Sequence, residues 1–172
     1  MRCRLGTSLY AGLLFIVLGL IAWVSGQPFI FPSLGPSAFI LAFDRESDRT
    51  DTYRIVGSHF IGGVAGLLAY TLLASGVSIT QTPPAFSGEG FRLMVGSVLS
   101  IVLTSWAMIA TKTVHAPACA TTLIVSLGLL STATQVAIIV ISVVLLVEFH
   151  ALMLGLFKRI TGATALQPGV NR

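Results

Sequence analysis

Gln27-Pro28-Phe29-Ile30-Phe31-Pro32-Ser33-Leu34-Gly35-Pro36 opens an apolar segment that continues to Phe43, and its three prolines decide how the chain is read. Pro32 and Pro36 remove backbone donors and push the residues before them toward extended geometry. Helix is predicted to begin at Pro36, because proline suits the first helical position, where its missing N–H would be unpaired anyway. Gly35 then falls at the N-cap, and Ser33 and Ser37 flank the turn. The predicted helix, Pro36–Phe43, is half a bilayer long. A second segment has the same form: Thr111-Lys112-Thr113-Val114-His115-Ala116 leads to Pro117, from which helix can run to Leu130.

The rest of the chain gives these two segments a membrane to sit in. Of 172 residues, 55% are hydrophobic and 9% charged, where a soluble domain carries roughly a quarter charged. Ten Lys/Arg and six Asp/Glu cannot coat a globule of this length in water. That composition argues against a soluble enzyme, a disordered segment or a nucleic-acid binder. Cys3 and Cys119 form no disulfide framework. Arg2 and Arg4 ahead of an apolar stretch resemble a signal peptide, but the stretch is long and further apolar runs follow, so it is read as a first span.

A membrane helix needs about 20 mostly apolar residues. Leu9–Ser25, Ile55–Gly76, Leu93–Thr111 and Thr134–Phe157 qualify, while Pro28–Phe43 and His115–Leu130 are shorter and equal in length to each other. If all six cross and the N-terminus is cytoplasmic, nine of the ten basic residues (Arg2, Arg4, Arg45, Arg49, Arg54, Lys112, Lys158, Arg159 and Arg172) face the cytoplasm and only Arg92 lies outside. If the two short segments are re-entrant, the split falls to six against four. The positive-inside rule therefore favours six crossings with both termini cytoplasmic, in the cell membrane. The loop holding Asp44, Glu46, Asp48 and Asp51 is read as a solvated connector. Trp23 and Trp106 near span ends suit an interfacial aromatic belt.

The expected fold is an all-α membrane protein, a single transmembrane domain over 1–172. Its two halves, about 8–76 and 91–157, each read long span, short proline-containing span, long span, with a cytoplasmic tail at 158–172. The offset that carries Pro36 onto Pro117 also carries Leu9 onto Gly90, where the fourth span begins. Three spans per half make the repeat inverted, an arrangement recurrent in secondary transporters. The second span of each half is then a Pro-broken half helix, and the two helix N-termini point toward each other near the midplane. Helix N-termini carry unpaired N–H groups and partial positive charge, so two of them suit a small anion. The candidate binding residues are Ser33, Gly35, Pro36, Ser37 and Ala38 in the first segment. In the second they are Thr113, His115, Pro117, Ala118 and Thr121, with Thr122 as a further hydroxyl.

Ionisable groups within spans usually face a partner or a cavity. His59, Glu148 and His150 are candidates for a proton relay, although Glu148 and His150, two apart on a helix, do not share a face. Their spacing matches no compact metal-ligand motif, so no metal or cofactor is expected. Gly62, Gly63 and Gly66, a turn beyond Ser58, make a small-residue face for helix packing within or between subunits. Two broken spans leave a small bundle, so a homo-oligomer in the lipid bilayer is expected, with a small inorganic anion as its other partner.

Ser33-Leu34-Gly35-Pro36-Ser37-Ala38-Phe39 and His115-Ala116-Pro117-Ala118 resemble the two signatures of the HPP family of integral membrane proteins. Gly57-Ser58-His59 before a glycine-rich span also fits that family, and the resemblance runs from span one to span six. The name-giving His-Pro-Pro is here His115-Ala116-Pro117, without its middle proline. Plant and cyanobacterial relatives are associated with nitrite transport, so the resemblance implies nitrite where the spacing argument implies only a small anion. Some bacterial relatives carry a C-terminal regulatory domain pair; with only a short tail after the last span, it is expected to be absent here. The expected function is transport of a small anion rather than catalysis. The alternatives are a non-transporting sensor or scaffold subunit and a membrane-embedded metal enzyme.

Overall fold

Residues 4–44 and 51–160 are described in the computed structural model, and among them every regular element is helical. The helices are α1 (Arg4–Ser25), α2 (Leu34–Phe43), α3 (Thr52–Ala69), α4 (Gly88–Thr111), α5 (Pro117–Ser126) and α6 (Ala133–Ile160). Four are long and apolar enough to cross a membrane: α1, α3 with its π-helical continuation to Ala74, α4, and α6. They coincide with the four long spans expected from sequence to within a few residues. The signals at Arg2, Cys3, Arg45, Glu46, Asp48, Arg49 and Arg172, and the tail from 161 onward, lie outside the described residues.

Local chemistry sets the helix ends. Asp51 caps α3 by accepting the Tyr53 N–H at 3.1 Å, and Ser87 caps α4 by accepting the Gly90 N–H at 3.1 Å. Thr132 and Gln135 form a reciprocal capping box ahead of α6, with Thr132 N–H donating to Oε1 at 3.1 Å and Gln135 N–H donating to Oγ1 at 3.2 Å. Arg92 closes the far end of the α3 continuation, donating from Nε to Leu73 O at 2.7 Å and from Nη2 to Ser75 O at 3.2 Å.

Both short helices depart from their expected bounds. α2 begins at Leu34, with Ser33 as N-cap, two residues before Pro36. A proline at the third helical position costs nothing there, because first-turn N–H groups have no intrahelical partner. Gly35, without a Cβ, also relieves the clash that keeps most residues before proline out of helical geometry. α5 begins at Pro117 as expected but stops at Ser126 rather than Leu130. Gly128 turns the chain at φ +77°, and Leu129 N–H bonds back to Ile124 O at 3.1 Å, a six-to-one closure of the helix end. A Cβ on Gly128 would lie 2.5 Å from Val77 O, so the turn is packed as well as left-handed.

α3 is the hub, packing against α4, α5 and α6, while α2 rests chiefly on α1. The small-residue face of α3 is used inside the chain. A Cβ on Gly62 would come within 2.7 Å of Ala118 O, one on Gly66 within 2.7 Å of Thr122 O, and one on Gly63 within 2.7 Å of Val136 Cγ1. The first two glycines thus seat α5, and the third seats α6. Leu14 and Leu18 of α1, Leu34 and Leu41 of α2, and Ile139, Val143 and Leu146 of α6 fill the apolar core. Large apolar side chains cover the outside, among them Leu9, Ile16, Phe60, Val98 and Leu152, with Trp23 and Trp106 also exposed. Such a surface is matched to lipid rather than water.

Candidate functional site

The two short helices meet through their first turns. Ser33 Oγ lies 2.7 Å from Thr121 Oγ1, and Ser37 Oγ lies 3.1 Å from His115 Nε2. The earlier residue of α2 pairs with the later residue of the second segment, so the two chains run antiparallel side by side. Their N-terminal turns overlap rather than meet end to end. α3 completes the arrangement with His59, whose Nδ1 lies 2.7 Å from Thr121 Oγ1 and whose Nε2 lies 3.1 Å from Ser37 Oγ. The rings of His59 and His115 are tilted by 54° with centroids 5.5 Å apart. All five side chains are buried.

The hydrogen-bond directions follow from counting protons. Ser37 Oγ–H donates to Ser33 O at 3.1 Å, so both histidines must donate to Ser37 from Nε2. A neutral His59 then accepts at Nδ1 from Thr121, and Thr121 accepts from Ser33. This tautomer is assigned from the network, as imidazole hydrogens must be. Ser37 is the node: one hydroxyl joins the backbone of α2, a histidine of α3 and the histidine ahead of α5. No Lys, Arg, Asp or Glu hydrogen-bonds into the cluster among the described residues.

Backbone donors are fewer here than the sequence suggests. Ala118 N–H donates to His115 O and Cys119 N–H to Ala116 O, each at 3.0 Å, so the start of α5 is folded back on itself. Leu34 N–H is taken by Phe31 O at 3.1 Å. Gly35 N–H makes no backbone bond among the described residues, which leaves it as a donor at the start of α2. Ser33 spends its hydroxyl on Thr121 and makes no side-chain cap.

The other expected residues are distributed around this cluster. Ala38, Pro117 and Ala118 are buried packing positions, Gly35 is half-buried and Pro36 is exposed. Thr113 is buried but bonds Thr111 Oγ1 at 2.8 Å, with its methyl group against Gly57. Thr122 bonds Thr104 Oγ1 on α4 at 2.9 Å. The three relay candidates are not brought together. His59 belongs to the cluster itself, His150 Nδ1 lies 3.0 Å from Tyr10 Oη, and Glu148 is exposed on the outer face of α6. Among the described residues no three His, Cys, Asp or Glu side chains gather in a metal-binding group.

Sequence reasoning places His59 in a proton relay with Glu148 and His150 rather than among the first contacts of the site. The signal that locates it is its neighbour Gly62, three residues on. A glycine that lets α5 touch α3 also brings the histidine one turn away against α5. A family model described as "HPP, transmembrane region" matches residues 2–164. No curated protein and no solved structure matches the chain.

Proposed function

The chain belongs to the HPP family of membrane proteins, and from that premise we propose that it carries a small inorganic anion, nitrite first, across the cell membrane. On this reading all six helices cross, both termini are cytoplasmic, and α1–α3 and α4–α6 are inverted repeats. The observation that carries it is the antiparallel overlap of two ten-residue helices, each with a proline in its first turn, around a buried cluster of neutral donors. Ten residues span about 15 Å, half of a hydrocarbon core about 30 Å thick, so both helices start near mid-depth.

An anion between them would be held by the hydroxyls of Ser33, Ser37 and Thr121, the Gly35 N–H and the imidazole N–H groups of His59 and His115. It must first take donors that now satisfy each other. A neutral hydrogen bond contributes roughly 1 kcal/mol net and one to a charged group about 1.5–3 kcal/mol, so the exchange favours the anion once it is stripped of water. With no arginine in the cluster, the anion is not trapped, which suits a site that must also release it. The overlapped first turns of α2 and α5 would part to admit the anion, and rocking of one repeat against the other gives alternating access.

Uptake into proteoliposomes is the test, with nitrite, nitrate, formate and bicarbonate offered with and without a pH gradient. Nitrite flux that is abolished by Ser37→Leu and Thr121→Leu is the expected result. Absence of flux for all four anions overturns the reading, and flux unchanged by both substitutions moves the site elsewhere.

A further inference from the structure

Glu148 is placed where a carboxyl group has no reason to be left. It is the sixteenth of 28 residues in α6, exposed, and ten residues, about 15 Å, from Lys158 near the helix end. The other described acids, Asp44, Asp51 and Glu89, all sit at helix ends. An acid at the centre of a membrane helix costs about 2.5–3.5 kcal/mol on insertion scales, which is why such groups face a partner. No hydrogen bond to Glu148 occurs within the chain among the described residues.

The residues around it form a pattern that the chain's own fold does not consume. Ala137, Ile141, Val144, Glu148, Ala151 and Gly155 recur at spacings of four, three, four, three and four. All but the half-buried Val144 are exposed. These five intervals cover 18 residues at the α-helical period of 3.6, so the six residues share one face, along which a second helix can lie at a crossing angle of about 20°. Ala151 and Gly155, four apart, let a second backbone come close. A Cβ on Gly155 would meet nothing within 4 Å, whereas those on Gly62 and Gly66 would strike α5. The small residues of α3 are thus spent inside the chain, and those of α6 are not.

We propose that the 137–155 seam of α6 is the interface between two copies of this chain, with the two Glu148 side chains meeting on the twofold axis. In a twofold pair each residue on the axis meets itself, so a single surface supplies both halves of the contact. Carboxyl groups can donate to and accept from one another through shared protons, which removes both from hydrocarbon. The exposed stripes of α1 (Leu5, Leu9, Leu13, Ile16 and Leu20) and of α4 (Phe91, Met94, Val98 and Val102) are apolar and offer an acid nothing to bond. A polar residue within an apolar seam fixes register and stoichiometry, which is the role the geometry gives Glu148. This inference does not depend on what the site between α2 and α5 carries.

The test uses the full chain in liposomes, with Cys3→Ser and Cys119→Ala as background, and single cysteines introduced for oxidative cross-linking. Ile141→Cys, Val144→Cys and Gly155→Cys are expected to give cross-linked dimers, and Phe157→Cys on the opposite face of α6 and Val98→Cys on α4 are not. In the Gly155→Cys background, Glu148→Leu should lower the dimer yield roughly three- to tenfold, the worth of one interhelical hydrogen bond in a membrane, while Glu148→Gln retains most of it. Cross-linking that is equal on and off the seam, strongest on α4, or absent throughout overturns the interface. An unchanged yield with Glu148→Leu removes the acid from it.

Discussion

α2 and α5 have the same length and the same proline-bearing start, yet they are held in opposite ways. α5 lies in a groove of α3 cut by Gly62 and Gly66, and its Thr122 is tied to Thr104 of α4. α2 rests on α1, touches α5 and α6 lightly, and ends in an exposed stacked pair, Phe39 and Phe43, with ring centroids 5.6 Å apart. Their first turns differ as well: α5 has closed its early N–H groups on His115 O and Ala116 O, while α2 keeps the Gly35 N–H. One helix is a wall and the other a leaf laid against it. If the site opens, α2 is the part that moves least expensively.

The largest effect should follow from spoiling the wall. Gly66→Val or Gly62→Ala drives a side chain into backbone oxygens of α5, at 2.7 Å in each case for the first carbon alone, and backbone cannot rotate away as a flexible side chain can. Overpacking of this kind costs about 1–3 kcal/mol, with the valine at the upper end. Gly35→Ala on α2 meets open space and should cost under about 1 kcal/mol, the remainder being the Cβ placed before Pro36. Thermal unfolding of detergent-solubilised protein, followed by size-exclusion fluorescence, ranks the three. If Gly35→Ala proves as harmful as Gly62→Ala, the two helices are equally constrained and the contrast fails.

An effect of comparable size, but of different location, is expected where wall and leaf are joined. Ser37→Ala removes the node between Ser33 O, His59 and His115, leaving two buried imidazole N–H groups without that acceptor. Each buried donor so stranded costs about 1–3 kcal/mol, reduced where water can enter. Thr121→Val keeps the shape but breaks the bonds to Ser33 and His59. Both should lower the unfolding temperature by more than Gly35→Ala does. Because the broken bonds cross between α2 and its supports, both should also raise hydrogen exchange in residues 33–43 more than in residues 117–126. Equal protection loss in the two segments would mean that the cluster is not what restrains α2.

Much of this was legible from residue types and spacing. Four long apolar runs, the break before Pro117 and the pairing of two proline-bearing segments all follow from what a bilayer demands of a backbone. What sequence could not supply is the lateral fit. Ser33 reads as a residue flanking a turn whose cap is Gly35, whereas it stands at the cap position itself with its hydroxyl directed to Thr121. Thr113 and Thr121 look equivalent in a list of hydroxyls, but α3 meets Thr121 with a histidine and Thr113 with Gly57. His150 and Glu148 are two residues apart, and the helix turn between them sends one to Tyr10 and the other to the outer surface. Period and composition fix how a helix sits in lipid, whereas its partner depends on shapes contributed by distant segments.

The smallest expected effect concerns the residue that sets this chain apart from the family's name. Ala116 occupies the place of the middle proline in His-Pro-Pro, at φ −52° and ψ −36°, and its N–H makes no backbone bond among the described residues. Proline fixes φ in the helical range and carries no N–H, so the backbone at Ala116 already meets both conditions. His115 lies two residues before the helix, where no helical backbone is required of it. Ala116→Pro should therefore stabilise the chain by about 0.4–1 kcal/mol, through the unfolded state alone. The same substitution at Gly35 should destabilise, because Leu34 would then also precede a proline while held in helical geometry, which a following ring resists. Unfolding temperatures of the two variants test the contrast directly. A loss of stability with Ala116→Pro would show that the start of α5 needs the freedom proline removes, and that the wall is less rigid than its glycine groove makes it.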